Sequence, residues 1–288
     1  MTAATVLPPL FLSHGSPMTA IQPGAAGAFM QALGRQFGQG ALPRPRAILA
    51  VSAHSLARRP VLLVAPQQHA VYDFGGFDPA LYELRYDAPG AIDLAGELQQ
   101  ALPDVLQTQA MSGLDHGIWA PLRYMVPAAD IPVLPLCFSP QARPEELWAL
   151  GEALAPWTER GVLVMASGSI THNLRRVFQG GAAFDAPEIP ESRAFRDWWA
   201  TQAGAGNRAA LMDYRRQAPH AVDMHPTDEH LLPWFIAAGA GGAATGAVRL
   251  HESVTFGCLG MDAYAFGPQA PALASALGST PPVPGQFP

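Results

Sequence analysis

Three apolar runs in this chain pass through small residues and then reach a histidine. Leu10-Phe11-Leu12-Ser13 stops at His14, and Ala47-Ile48-Leu49-Ala50-Val51-Ser52-Ala53 stops at His54. Gly161-Val162-Leu163-Val164-Met165-Ala166-Ser167-Gly168-Ser169 leads towards His172. Short continuous apolar runs bounded by turn residues read as strands buried on both faces. Gly15 and Pro17 enforce the first stop, because glycine admits a close or left-handed backbone and proline has no N–H to offer a ladder. The three histidines therefore belong at the carboxyl edge of a sheet, where open α/β folds hold their ligands.

The rest of the chain reads as scaffold for that edge. Helical spacing covers 25–37, 91–102 and 144–155, the last with Pro144 in its first turn. Asp115 is placed to cap a helix through Tyr124, with His116 at its start. Further strands are expected at 60–65 and 131–138, with one or two closing strands within 247–266. Residues 191–218 read as two helices, and Thr227 as the cap of a short helix with His230 in its first turn. Strands alternating with helices give an α/β fold: a single domain with a central, mostly parallel or mixed sheet flanked by helices and a site at the strand carboxyl ends. No stretch reads as a linker, so residues 1–288 form one catalytic domain, with a loose proline-rich tail at 278–288.

Composition narrows the chemistry. All 17 basic residues are arginine, and without a lysine there is no Schiff base, pyridoxal-phosphate or Walker-A chemistry. A net charge of −6 argues against nucleic acid as a partner. No apolar run is long enough for a membrane span and no signal peptide is visible, which points to the cytoplasm. Cys137 and Cys258 lie in apolar runs and read as buried free thiols. No GxSxG is present, and the loose GxGxxA matches at Gly204 and Gly239 follow helical rather than strand patterns.

The aromatic, glycine-rich stretch 69–77 suits a loop lining a pocket for a flat ligand, with Tyr72, Asp73 and Phe74 in contact. Equally, it suits a loop packing its aromatics on the core. Of the nine histidines, three at or near strand ends behind small residues favour a transition-metal site, since imidazole suits zinc, iron, copper and nickel. No HExxH or CxxC fixes the ligands by spacing.

Six motifs in order make the chain resemble a known family: His14-Gly15-Ser16-Pro17; Ser52-Ala53-His54; Tyr72-Asp73-Phe74-Gly75-Gly76-Phe77; Asp115-His116-Gly117; Ser167 to Leu174; and Pro226-Thr227 with Glu229-His230-Leu231-Leu232-Pro233. Together they resemble the class III extradiol ring-cleavage dioxygenases of the LigB type, DOPA 4,5-dioxygenase branch, over about 9–266. The resemblance implies that His14, His54 and His230 hold a divalent metal. It implies that His172 is the acid/base, near enough to serve as an additional ligand, and that His116 is a second pocket residue. His225 competes with His230 for the third ligand position. Extradiol enzymes commonly pair two histidines with one carboxylate; Glu229 and Asp228 are the acids near enough to restore it. Three neutral ligands would leave the full charge on the metal and make zinc as well as Fe(II) acceptable.

The implied reaction is ring cleavage of a catechol by dioxygen, giving a semialdehyde, in a monomer or homodimer. A zinc-dependent hydrolase and a non-enzymatic interaction protein on the same scaffold are the alternatives. Arg123, Arg175 and Arg176 are candidates to meet a substrate carboxylate.

Overall fold

A computed structural model describes residues 6–242 and 246–278. Eight strands form one sheet: β1 Leu10–Ser13, β2 Ala47–Ser52, β3 Val61–Val64, β4 Gln107–Ala110, β5 Val133–Cys137, β6 Val162–Gly168, β7 Val248–His251 and β8 Ala263–Ala265. Their order is β4-β3-β5-β2-β6-β1-β8-β7. The middle four, β5, β2, β6 and β1, run parallel. β3 and β4 are parallel to each other and antiparallel to β5, and β8 is antiparallel to both β1 and β7. The sheet is mixed around a parallel centre, so β1, β2 and β6 end at the same edge.

Alternation along each strand explains the two cores. Leu49, Val51, Val162 and Val164 face one layer, with the helices Ile92–Ala101, Pro144–Thr158, Pro190–Gly204 and Pro233–Ala240. Ile48, Ala50, Leu163 and Met165 face the other, with Gly24–Gly34, His116–Met125 and Ala270–Gly278. Both faces being covered is why these strands read as continuous apolar runs. Gly239 has a helix-packing role rather than a nucleotide-binding one. A Cβ there would sit 2.2 Å from the Trp148 carbonyl oxygen, so two helices cross at backbone contact.

Several elements depart from expectation. Residues 191–218 carry three helical segments, because the chain breaks at Gly206 and restarts under an Asn207 cap at Arg208–Met212, followed by Tyr214–Gln217. The helix from Pro144 runs on to Thr158 with Pro156 inside it. The edge strand β4 is exposed along its length, so it carries no apolar signal. The stretch 247–266 folds as four short strands, and a further helix, Ala270–Gly278, follows. Asp115 occupies the N-cap position, but its side chain makes no capping bond. His230 sits in a turn ahead of the helix that starts at Pro233, since the Thr227 hydroxyl donates to Glu229 Oε1 instead of capping. The proline-rich tail at 279–288 lies outside the described residues. Both cysteines are buried and free. Among the described residues no helix is long and apolar enough to cross a membrane.

Candidate active site

His14 follows β1 directly, His54 follows β2 after Ala53, and His172 lies on the loop after β6. Gly168, at the end of β6, lets the fourth histidine approach. A Cβ there would lie 2.0 Å from the His230 carbonyl oxygen, which instead accepts from Ser169 N at 2.9 Å. His116 comes from the first turn of its helix. The fold thus gathers His14, His54, His116, His172 and His230 at one edge. Ring centroids of His14, His54 and His230 are 4.9 to 5.5 Å apart. His116 lies 4.1 Å from His54, and His172 stacks on His230 at 3.4 Å.

The hydrogen bonds behind the rings fix their orientation. Ser167 Oγ donates to the Gly117 carbonyl at 2.5 Å, so it accepts from His14 Nδ1 at 2.9 Å. His230 Nδ1 donates to Glu229 Oε1 at 3.2 Å. His54 Nδ1 faces Asp73 Oδ2 at 3.5 Å. With Nδ1 of each ring turned to an oxygen, the Nε2 lone pairs point forward. His54 Nε2 lies 3.2 Å from His14 Nε2 and 3.3 Å from His230 Nε2. Two tetrahedral metal–nitrogen bonds of about 2.0–2.1 Å leave their nitrogens about 3.3 Å apart. Three lone pairs brought this close without a donor between them repel unless a cation lies among them. The donor set fits a divalent transition metal.

Burial, together with the neighbouring histidines, disfavours a proton on His14, His54, His172 and His230. It holds His14 and His230 well below the usual imidazole range. Burial lowers His54 to about 4 and His172 to about 3. Burial raises Asp73 as well, but the hydrogen bonds and charge of His116 outweigh it and leave the carboxyl below its ordinary value. Asp73 accepts from His116 Nδ1 at 3.0 Å on either oxygen and from its backbone N–H at 2.9 Å. Its carboxylate is therefore turned to the histidines rather than displayed to a ligand.

Tyr72 and Phe74 combine both readings of their loop. The Tyr72 hydroxyl donates to the Leu84 carbonyl, and both rings pack around Trp119. Phe74 nevertheless meets His116 edge-on at 5.7 Å, which makes it a wall of the site.

The other histidines lie elsewhere. His225 is fully buried, its Nε2 donates to the Ile170 carbonyl at 2.7 Å, and its Nδ1 has no hydrogen-bond partner among the described residues. His69 pairs with Asp87, and His251 stacks on Phe29 and bonds Ser253. His220 has a left-handed backbone, with φ of 58°. Glu229 stands behind His230, within reach of His172. Of the three arginines, Arg176 pairs with Asp223 and Glu191, Arg123 donates to the Arg85 carbonyl, and Arg175 is exposed.

Sequence reasoning missed the serines. Ser52 and Ser167 read only as small residues in the runs ahead of histidines, and Ser55 carried no reading, yet all three hydroxyls are anchors. Ser52 and Ser55 donate to the two Asp115 oxygens at 2.6 and 2.5 Å, which ties the His54 turn to the start of the His116 helix. Their signal in the sequence was position: each lies within three residues of the end of a strand that leads to a histidine.

A mixed α/β sheet presenting a histidine cluster able to hold a metal ion defines a class of non-haem metalloenzyme. Residues 8–267 match the family model of the catalytic LigB subunit of aromatic ring-opening dioxygenase, and the chain belongs to that family: it is an extradiol ring-opening dioxygenase. It is 35% identical to the 4,5-DOPA dioxygenase extradiol of Beta vulgaris over 89% of this chain and 95% of that one. The Escherichia coli K12 protein of the same name is 33% identical over 90% and 94%. A crystal structure of an uncharacterized Escherichia coli K12 protein superposes with a TM-score of 0.70 at 26% identity, covering 91% of this chain and all of that one.

Proposed function

We propose that this chain cleaves a catechol ring beside its two hydroxyls, using dioxygen at a divalent metal held by His14, His54 and His230, and releases a ring-opened semialdehyde. The observation that carries this is the approach of His14 and His230 Nε2 to His54 Nε2, at 3.2 and 3.3 Å, with each Nδ1 turned to an oxygen. Bound Fe(II) supplies the redox chemistry that joins dioxygen to the ring, whereas Zn(II) fits the same ligands and is redox-inert.

The protein's own groups bind, orient and move protons. His172 stacks on His230 at 3.4 Å, beside the proposed ligands, where it is placed to take a proton as a catechol hydroxyl docks and return one later. Asp73 holds His116 by Nδ1, leaving Nε2 to face the substrate as a second proton acceptor. The fixed rings of Tyr72 and Phe74 give a flat ligand an apolar wall and keep water from its edge. L-DOPA and related substituted catechols are the first substrates to test, because the relatives carry that name. All five histidines come from one chain, so the site needs no partner subunit whether the protein is monomer or homodimer.

The test is oxygen uptake by protein stripped of metal and reloaded anaerobically with Fe(II), challenged with L-DOPA and simpler catechols. Uptake coupled to a yellow ring-opened product, and absent from the zinc-loaded sample, is expected. No uptake with any catechol, in protein shown to hold iron, would overturn the reading.

A further inference from the structure

The loop beside the site is tied to the His116 helix by Trp119, whose Nε1 donates to the Val71 carbonyl at 3.0 Å, and to the histidines themselves by one hydrogen-bonding side chain. Between Val71 and Phe77 the side chain that reaches the histidines by hydrogen bonds is Asp73. It binds the backbone and ring of His116 and lies 3.5 Å from His54 Nδ1. On either side of it, Tyr72 and Phe74 form an aromatic cluster with Phe77, Tyr82 and Trp119. Gly75 and Gly76 next in the chain have open space where a side chain would be. One carboxylate therefore joins a glycine-containing loop and its aromatic cluster to the histidines at the cation site.

We propose that Asp73 is a positioning residue which couples metal binding to the ordering of the aromatic loop, rather than a substrate ligand. The inference rests on the metal reading of His54. A cation at His54 Nε2 draws electron density from the ring and strengthens the N–H at Nδ1 as a donor, so the 3.5 Å contact with Asp73 Oδ2 shortens into a hydrogen bond when metal binds. Such coupling is reciprocal: if metal fastens the loop, the fastened loop raises metal affinity by the same factor. Asp73 also sets the His116 ring, so the same carboxylate aligns a metal ligand and a proton acceptor.

The test uses the full chain with Co(II), whose visible spectrum reports its ligands, and hydrogen exchange of residues 71–83 with and without metal. In the unaltered protein, Co(II) binds and slows exchange of the loop. In Asp73→Asn, of the same size but without the charge, affinity falls about 10–100-fold, and bound metal no longer slows loop exchange. Equal Co(II) affinity, or equal protection of the loop by metal in both proteins, would overturn the coupling while leaving the metal site standing. Failure of the unaltered protein to bind Co(II) would remove the metal reading itself. The exchange measurement on the unaltered protein needs no variant, so a poorly folding Asp73→Asn would not shelter the idea: loop exchange unchanged by Co(II) binding would also overturn it.

Discussion

At the residue scale, each histidine is assigned by what its far nitrogen touches. His14, His54 and His230 turn Nδ1 to Ser167, Asp73 and Glu229 and present Nε2 to one another. Replacing any of them with alanine is expected to abolish stoichiometric metal binding, read by metal analysis after dialysis. His172→Ala is expected to keep the metal and lose about 10²–10⁴-fold in turnover, the usual worth of a positioned proton donor or acceptor; near-normal turnover would contradict its role. His225→Leu separates the two histidines of the 225–230 stretch. It should leave metal content unchanged and cost about 1–3 kcal/mol by stranding the Ile170 carbonyl, measured by urea denaturation. His14, His54 and His172 were legible because each follows an apolar run ending in small residues, whereas the places of His116 and His230 in the site came only with the family resemblance. Their tautomers were not, since these depend on hydroxyls and carboxylates from distant segments, such as Ser167, which lies 153 residues from His14.

At the scale of elements, the buried strands announced themselves and the polar or contact-determined ones did not. β2 and β6 are buried throughout and were readable as runs. β4, Gln107-Thr108-Gln109-Ala110, exists through its pairing with β3, which no local pattern reports. The helix Pro190–Gly204 was readable as a helix within 191–218, but its place is set by a buried ion pair. Arg196 makes two hydrogen bonds to Asp262, at 2.7 and 3.1 Å, and both side chains are excluded from solvent. The Asp262 carbonyl in turn accepts from Ser13 N and Oγ, one residue before His14. Arg196→Leu leaves buried Asp262 with only the longer Arg249 contact at 3.4 Å and strips Glu188 of a 2.6 Å partner, and should cost about 3–5 kcal/mol in chemical denaturation. A cost below 1 kcal/mol would show that the pair does not hold this edge together.

At the scale of the whole molecule, the buried histidines link stability to pH. Burial lowers His54, His225 and His251 to about 4 and His172 to about 3, against about 6.5 in an unfolded chain. Between those values the unfolded chain takes up protons that the folded one refuses, so stability rises with pH through the window and falls as pH drops through it. Metal-free protein is expected to show a melting temperature that declines from about pH 6.5 down towards pH 4, read by calorimetry. A flat profile there would mean that these rings are not held neutral.

The measurement that bears most directly on the central reading is ring opening under isotopically heavy dioxygen, with the iron-loaded protein and L-DOPA in ordinary water. The expected result is a ring-opened product whose new carboxylate carries a heavy oxygen, together with consumption of dioxygen in equal amount. Product with oxygen drawn only from water, or turnover that proceeds without dioxygen, would contradict the dioxygenase reading and return the site to zinc-dependent hydrolysis.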